Sequence, residues 1–481
     1  MKAKKVNLFF KIVLIFTGFL ALWNTCLYAG KSQKLRVALT GKFPPFSFYS
    51  GKGRLIGFDV DVSKAIARKL NRDLEIVTTE WDGILAGLLA GKYDAIIGSM
   101  AKTPQREEVV NFSIPYYISG AQLFIHEDNK DEIENIDALR GKRIGVGLGE
   151  TYEHYLRKNY PDIQVVTYKS TVDIFQDMLN GRIDGFVTDK LVGLYQIEKG
   201  RMPFVTAGKL LYEESIAIPV VQERPQLLKK INKALAEMKR KGELAAIYKK
   251  WFEEKGKDFE TAAGIETKII VKKLGKGFAI TLLVAFSALL MGFVLAIPSA
   301  VILNNKAFFI YYPLRSFNDF IRGTPLLIQL FFVYFGAPQV GVMLTPIQAA
   351  ILTLTVNSSA YMSEVIRSGL MSVDCGQILA AKALGLSRLQ SFRYIIWPQA
   401  FRIALPPLMN SVVALMKDTA LIAVISVGEV IREAQSIISV TYNPMKYYFI
   451  VAVMFFIFTF PLMKLAGRIE KKIKEKGFAN A

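Results

Sequence analysis

Hydrophobic and polar positions follow two different patterns along this chain of 481 residues, and the change comes near residue 270. From about 34 to 258, short runs rich in β-branched residues alternate with amphipathic helical stretches, separated by glycines. Such strand–helix alternation predicts parallel α/β sheets. The strand–helix alternation is interrupted and then begins again, so we expect two lobes. One lobe would comprise about 34–120 and 210–258, and the other about 121–209.

After residue 276 the chain becomes apolar over lengths that fit a bilayer. Residues 277–305 hold 29 uncharged positions in a row, and residues 323–363 hold 41. A spanning helix needs about 20 apolar residues, so the second run predicts two spans joined by a turn. With 403–416 and 447–463, we predict an all-α membrane domain of about five transmembrane helices.

The formal net charge of +20 raises the question of whether the chain binds nucleic acid. Residues 261–481 contain 21 basic and 9 acidic residues, beside the apolar runs. That placement is typical of the positive-inside rule, and no basic stripe with stacking aromatics accompanies it. We therefore expect no nucleic-acid partner. The lysine-rich C-terminal tail predicts a cytoplasmic C-terminus, and five spans then place the α/β domain outside the cell.

The N-terminus has the pattern of an export signal. Three lysines lie within the first five residues, and an apolar stretch follows to about residue 28. Cleavage after Ala29 would put Leu27 where a small residue is preferred, so residues 1–29 are either a signal peptide or an uncleaved anchor. We then expect an extracytoplasmic domain over 31–258, a linker over 259–275 and a membrane domain over 276–472 of a plasma-membrane protein.

Several chemistries lack the residues that they need. Two cysteines and two histidines leave little for a disulfide framework, a metal site or acid–base catalysis. The sequence contains no Gly-x-x-x-x-Gly-Lys-Ser/Thr, the loop that cradles phosphates. We therefore expect no cofactor, no metal and no ATP hydrolysis by this chain.

Ordered motifs connect both halves to known families. The first half resembles the polar amino-acid solute-binding proteins, through Phe43-Pro44-Pro45-Phe46, Gly57-Phe58-Asp59, Trp81-Asp82-Gly83 and Thr103-Pro104-Gln105-Arg106. The second resembles the permeases that partner them in ATP-binding-cassette (ABC) importers, through Arg322-Gly323-Thr324-Pro325, Asn357-Ser358-Ser359-Ala360 and Lys417-Asp418-Thr419. The resemblance implies a type II periplasmic-binding-protein-like clamshell fused to its permease, with a separate cytoplasmic ATPase.

The resemblance also implies how an amino acid would be held. Arg106 matches the family's carboxylate-binding arginine, and its planar guanidinium suits two parallel hydrogen bonds. Asp189 matches the aspartate that binds the ammonium group. The alternatives are a solvated surface arginine and a strand-end cap.

Three further positions match ligand contacts of the family, and a fourth, Thr151, is suggested by its place before a helix. Phe43 and Trp81 match an aromatic pair that encloses the ligand, although core packing is the usual role of such rings. Ser99 matches a backbone or hydroxyl contact, and Thr151 precedes a helical stretch whose free N–H groups could help to hold a carboxylate. Thr40 stands where many members have an acidic residue, which argues against a strongly basic ligand.

In the second half, Ala380, Ala381, Gly385 and Pro398 follow the pattern of the cytoplasmic loop that couples a permease to its ATPase. Leu379 replaces the glutamate that is usual there, and an ordinary interfacial helix is the alternative. One five-span unit cannot enclose a pathway, so we expect a homodimer, or else a second, non-identical permease.

Two other functional classes share the clamshell. A ligand-gated channel would have its pore helices inserted within the clamshell sequence, whereas here both lobes end before residue 276. A periplasmic dehydratase would not need the attached membrane domain. An importer therefore remains the main hypothesis.

Overall fold

The computed structural model describes residues 34–50, 53–253, 267–305 and 309–475. The predicted signal or anchor over 1–29 and residues 259–266 of the predicted linker lie outside the described residues.

The first lobe is built on a small parallel sheet in the order β5-β1-β6. The lobe also contains the antiparallel set β2-β3-β4 and the antiparallel pair of β7 and β13. Strand β7 lies just before the chain leaves this lobe, and β13 lies just after the chain returns to it. The elements are β1 (Leu35–Leu39), β2 (Lys42–Phe43), β3 (Ser47–Tyr49), β4 (Leu55–Ile56), α1 (Phe58–Lys69), β5 (Leu74–Thr78), α2 (Trp81–Leu89), β6 (Ala95–Ile96), α3 (Pro104–Glu107), β7 (Val110–Phe112), β13 (Pro219–Val221), α7 (Pro225–Arg240) and α8 (Glu243–Phe252).

An aromatic core holds this lobe together. Phe46, Phe58 and Trp251 are almost fully buried, so the C-terminal helix α8 closes over residues from the start of the domain. Burial of one such side chain contributes about 1.5–3 kcal/mol, which explains why the returning segment belongs to this lobe.

The second lobe contains a five-stranded sheet in the order β10-β9-β11-β8-β12. Its elements are β8 (Tyr117–His126), β9 (Arg143–Gly147), α4 (Thr151–Asn159), β10 (Gln164–Tyr168), α5 (Thr171–Leu179), β11 (Gly185–Asp189), α6 (Lys190–Gly200) and β12 (Phe204–Ile216). Strands β8 and β12 pair in antiparallel fashion, with a register shift between Ala207 and Tyr212, and they connect the two lobes. The predicted two-lobed α/β fold is confirmed.

The membrane domain is helical, as predicted. Its helices are α9 (Thr267–Asn304), α10 (Tyr311–Gly323), α11 (Leu326–Phe331), α12 (Pro346–Met371), α13 (Cys375–Ala383), α14 (Arg388–Ser391), α15 (Trp397–Asp418), α16 (Val430–Thr441) and α17 (Pro444–Glu475). Helix α9 begins inside the stretch that was predicted to be linker, because Ile269, Ile270 and Leu274 pack against α16 and extend the helix.

Within the described residues, three helical stretches are long and apolar enough to cross a membrane: Thr267–Asn304, Arg388–Ile425 and Pro444–Ile473. The helix pair Tyr311–Gly323 and Leu326–Val340 would add a fourth crossing if it is counted as one span, and it is bent by 109° at the break between its halves. Helix α12 is the remaining candidate for the five predicted spans. It is less apolar because it carries hydroxyl groups, and these bond back to its own carbonyls, as Thr353 does to Ala349 (2.8 Å).

Packing shows how these helices run relative to one another. The first half of α9 packs on the first half of α12, through Val284 and Ala350, and their second halves meet at Ala300 and Ile366. The two helices are therefore parallel, so the chain returns between them through α10 and α11. Helix α15 runs antiparallel to both, since its early part lies beside the end of α12. The binding domain contacts the end of the bundle where α9 begins, and α13 lies at the opposite end.

Candidate functional site

A cleft between the two lobes collects most of the predicted ligand-binding residues. Its volume is about 850 Å³ with the opening included. Among the residues that line it are Phe43, Trp81, Ser99, Arg106 and Thr151. These five predicted positions, distant in sequence, therefore share one crevice.

Arg106 is fixed by the short helix α3. Pro104 occupies the first turn, and the Thr103 hydroxyl caps the helix by accepting a hydrogen bond from the Arg106 N–H (3.3 Å). One guanidinium nitrogen donates to the carbonyl of Ala101 (2.9 Å), and the group lies 5.6 Å from the centre of the Trp81 ring. A guanidinium remains charged in proteins, so it places a fixed positive charge in the cleft.

Two carboxylates that the sequence analysis missed stand in the same cleft, Glu150 and Glu214. The hydroxyls of Thr151 (2.8 Å) and Tyr152 (3.3 Å) donate to Glu214. Burial, together with the charge of Glu214, raises the pKa of Glu150 to about 7, and burial also raises the pKa of Glu214. Glu150 directly precedes Thr151, which was predicted only for its position before a helix. Glu214 is in a long strand that contains no recognised motif.

Ser99 is held in place by a buried carboxylate. Its hydroxyl donates to Asp59 (2.8 Å), which also accepts from the Tyr116 hydroxyl (2.7 Å). Asp59 is fully buried, and burial raises its pKa to about 7. Ser99 has a positive φ of 55°, uncommon for a residue with a side chain. This geometry presents Ser99 at the cleft wall.

Asp189 is not among the residues that line the cleft. Its carboxylate caps α6 by accepting from the N–H groups of Leu191 (2.7 Å) and Val192 (3.2 Å). The other oxygen accepts from the hydroxyls of Tyr117 (3.1 Å) and Ser119. These four bonds occupy both oxygens of the carboxylate. The structure therefore places Asp189 as a strand-end cap, and its role as an ammonium ligand stays a prediction.

The far end of the cleft is polar and adjoins the membrane domain. Lys42, Glu80 and Lys169 line it together with Ser170 and Thr171. The ammonium group of Lys42 donates to Glu80 (2.6 Å), and Glu80 also accepts from Arg432 of α16 (2.9 Å). The cleft therefore ends at the contact between the two domains.

The predicted coupling positions lie in one compact segment whose surface is largely exposed, although Ala381 itself is buried. Ala380 and Ala381 are in α13, Gly385 follows it with a φ of +73°, and Pro398 lies in the first turn of α15. Asp374 caps α13, and Ser387 forms a capping box with Gln390 at α14. Large apolar side chains are exposed on this segment, namely Leu379, Leu384, Leu389 and Tyr394.

Charged residues also occur within the membrane half. Glu364 and Arg367 form an ion pair about one helical turn apart, with 3.1 Å between the Arg367 Nε and a Glu364 oxygen. Lys417 and Asp418 end helix α15. Among the described residues, no group of His, Cys, Asp and Glu could hold a metal ion.

Comparison with known proteins divides the chain in the same way. The family model for bacterial extracellular solute-binding proteins, family 3, matches residues 35–254, and the model for the binding-protein-dependent transport system inner membrane component matches residues 270–475.

Relatives of the two halves are separate proteins. An L-cystine-binding protein of Escherichia coli strain K12 is 36% identical over 218 residues, 45% of this chain and 82% of that protein. A nopaline transport system permease protein of Agrobacterium fabrum is 38% identical over 195 residues, 38% of this chain and 81% of that protein. A crystal structure of a mutant of ArgBP from T. maritima is 35% identical, covers 46% of this chain and 96% of that one, and has a TM-score of 0.44.

Both matched families are transport families, which favours neither the channel nor the dehydratase. Each relative aligns with most of its own length to one half of this chain. The chain therefore belongs to the family 3 extracellular solute-binding proteins and to the binding-protein-dependent inner membrane transport components, with an amino-acid-binding domain and an ABC permease domain fused in one polypeptide.

Proposed function

We propose that this chain captures a polar amino acid in its interlobe cleft and imports it through its own permease domain, driven by a separate cytoplasmic ATPase. One observation carries the proposal: the cleft holds the guanidinium of Arg106 and the carboxylates of Glu150 and Glu214 near one another. A zwitterion needs both signs of charge a few ångströms apart, and a charge-assisted hydrogen bond is about twice as strong as a neutral one.

In this proposal Arg106 binds the carboxylate, assisted by the N-terminus of α4 at Thr151. Glu214 and Glu150 bind the ammonium group, the role first expected of Asp189. Trp81 and Phe43 supply apolar walls, and Ser99 adds a hydrogen bond. The polar far end, with Lys42 and Glu80, favours a ligand whose side chain carries hydrogen-bonding groups at its tip.

The packing of the helices supports one orientation in the membrane. The binding domain lies at the end of the bundle where α9 begins, so we propose that the cleft faces outward and the segment around Gly385 faces the cytoplasm. In this orientation the end of α17 lies on the cytoplasmic side, in keeping with its lysines. We propose that the segment from Cys375 to Pro398 docks on the ATPase, and that two copies of the chain form the pathway.

Calorimetry on the full chain in lipid nanodiscs tests the capture step. Titration with the twenty amino acids and with L-cystine should give a dissociation constant in the micromolar range or below for at least one of them. A dissociation constant of 1 μM corresponds to a binding free energy of about −8 kcal/mol. Uptake by proteoliposomes containing the chain and its ATPase should follow the same order of preference. If no amino acid binds, the proposal is wrong.

A further inference from the structure

A second cavity lies between the binding domain and the membrane domain, next to the ligand cleft. Its volume is about 830 Å³ with the opening included, close to that of the cleft. Lys42, Glu80, Trp81, Leu148, Lys169 and Ser170 line both cavities. The two spaces therefore share a wall.

The shared wall contains an ion-pair network that joins the domains. One oxygen of Glu80 accepts from Lys42 (2.6 Å), in the same domain, and from Arg432 (2.9 Å), in α16. Lys42 also donates to the side-chain oxygen of Gln435 (2.7 Å). Two cations thus share one carboxylate, so an incoming carboxylate could pair with Lys42 while Glu80 keeps Arg432 as its partner.

The second cavity offers opposite charges of its own. Asp82 and Asp173 line it without lining the cleft, and Lys169 stands 3.8 Å from Asp82. The membrane domain closes the cavity with Val424, Ser439 and Tyr448. Carboxylates for an ammonium group and lysines for a carboxylate are the groups that the cleft itself provides.

We propose that this second cavity is a transfer site, which receives the amino acid from the cleft before it enters the permease, and that the Lys42–Glu80 pair separates the two. The inference rests on the proposed function and adds an intermediate station to it. As the ligand carboxylate approaches Lys42, Glu80 stays paired with Arg432, so the wall opens without leaving a buried charge unpaired. Removal of one partner from a buried pair is strongly destabilising, so this exchange avoids a large barrier.

Two variants that touch only the second cavity test the transfer site. Asp173→Asn removes a charge without changing shape, and Val424→Trp fills the space. In full-length protein in nanodiscs both should keep the amino-acid dissociation constant within about twofold, while ATP-driven uptake in proteoliposomes should fall at least about tenfold. The matched controls are Asp162→Asn, exposed in the same lobe, and Val453→Trp on α17, and these should leave uptake unchanged.

The outcomes separate this inference from the proposed function. Normal binding and normal uptake in Asp173→Asn and Val424→Trp would overturn the transfer site while leaving the importer intact. Loss of binding in Asp173→Asn would also overturn it, since the residue would then belong to capture. Wild-type protein that binds no amino acid would instead overturn the proposed function.

A double-mutant cycle tests the network in the shared wall. Because Glu80 and Arg432 are in contact, their effects on uptake should not add. We expect Glu80→Gln with Arg432→Gln to lose no more than about twofold beyond the worse single variant. The measurement is the initial uptake rate with matched amounts of protein. Losses that multiply would show that the two side chains act independently and would contradict a single ion-pair network in the shared wall.

Discussion

Charge balance in the cleft depends on a few side chains that the fold holds in place. Arg106 is anchored through Ala101 and through the Trp81 ring, and Glu214 is anchored by Thr151 and Tyr152. Fixed partners of this kind lower the entropic cost of ligand binding, because few rotamers remain to be lost. In the proposed site, the specificity for an amino acid would depend on these supports as well as on the charges.

Arg106→Ala should weaken the binding of every amino acid that the wild type binds by at least about 100-fold, because a ligand carboxylate would then be buried without its charged partner. Calorimetry with the full chain measures this loss. Lys102→Ala, an exposed neighbour that pairs with Glu107, should bind normally. A variant at Arg106 that only changes the order of preference would contradict the carboxylate assignment.

Binding should also depend on pH. The pKa of Glu150 is about 7, above its usual value, because burial and the nearby charge of Glu214 disfavour its ionised form. An ammonium group prefers the ionised form, so affinity should rise with pH through 7 and be about tenfold weaker at pH 5.5 than at pH 8. Glu150→Gln should make the profile flatter. An affinity that is constant from pH 5.5 to 8 would exclude Glu150 from the ammonium site.

Motif-based reasoning located part of the cleft and missed the rest for identifiable reasons. Arg106, Trp81 and Ser99 lie in short local motifs, and all line the cleft. Asp189 also follows a strand, but a strand end that begins a helix places its carboxylate on the helix N–H groups, a use that spacing cannot distinguish from ligand binding. Glu214 was missed because its partners come from α4, far away in sequence.

At the scale of elements, small residues let the membrane helices approach closely. A side chain on Gly369 of α12 would place its Cβ only 2.6 Å from the Ala400 carbonyl oxygen, and one on Gly292 of α9 would place it 2.4 Å from the Ser358 hydroxyl. Membrane helices associate largely through such packing, because lipid supplies no hydrophobic drive. These two positions therefore fix how α9, α12 and α15 assemble.

Gly369→Leu should prevent this assembly, because the contact is with backbone that cannot move aside. We expect a lower yield of monodisperse protein and a lower melting temperature in detergent, measured by size exclusion and by thermal shift. Gly467→Leu in α17, where a Cβ meets nothing within 4 Å, should behave like the wild type. Equal stability of the two variants would contradict the packing described here.

Gly385 tests the coupling segment separately from capture. Its φ of +73° lies in the left-handed region, and a Cβ there meets nothing within 4 Å, so the backbone alone restricts substitution. Gly385→Val should therefore reduce ATP-driven uptake while the amino-acid affinity of the full chain is retained. Gly385→Asn, which tolerates this conformation, should keep most of the uptake. Loss of binding in the valine variant would indicate misfolding rather than uncoupling.

Element boundaries were predictable where the pattern was strong and local. The parallel strands and the longer helices of the binding domain follow from their alternation. Helix α12 was predicted from an uncharged run, yet its hydroxyl groups lower its hydropathy, and its packing along α9 is the feature that supports it as a candidate span. Helix α9 begins early because tertiary contacts with α16 extend it, which a composition change alone does not reveal.

At the scale of the whole molecule, the important feature is the direct contact between the binding domain and the membrane domain. Glu80 and Arg432 are 352 residues apart in sequence and meet at 2.9 Å, and Lys92 donates to the Leu344 carbonyl (2.7 Å) across the same boundary. Sequence periodicity reports which face of an element is buried but not which distant element covers it. The contact between the domains was therefore beyond prediction, whereas the order of the domains was not.

The most direct test of the account is amino-acid uptake without any separate binding protein. Proteoliposomes containing only the full chain and its cytoplasmic ATPase should accumulate the labelled amino acid that the chain binds, in an ATP-dependent manner, and Arg106→Ala should abolish the accumulation. Uptake that persists in Arg106→Ala, or that appears only when a free binding protein is added, would show that the fused cleft does not supply the permease.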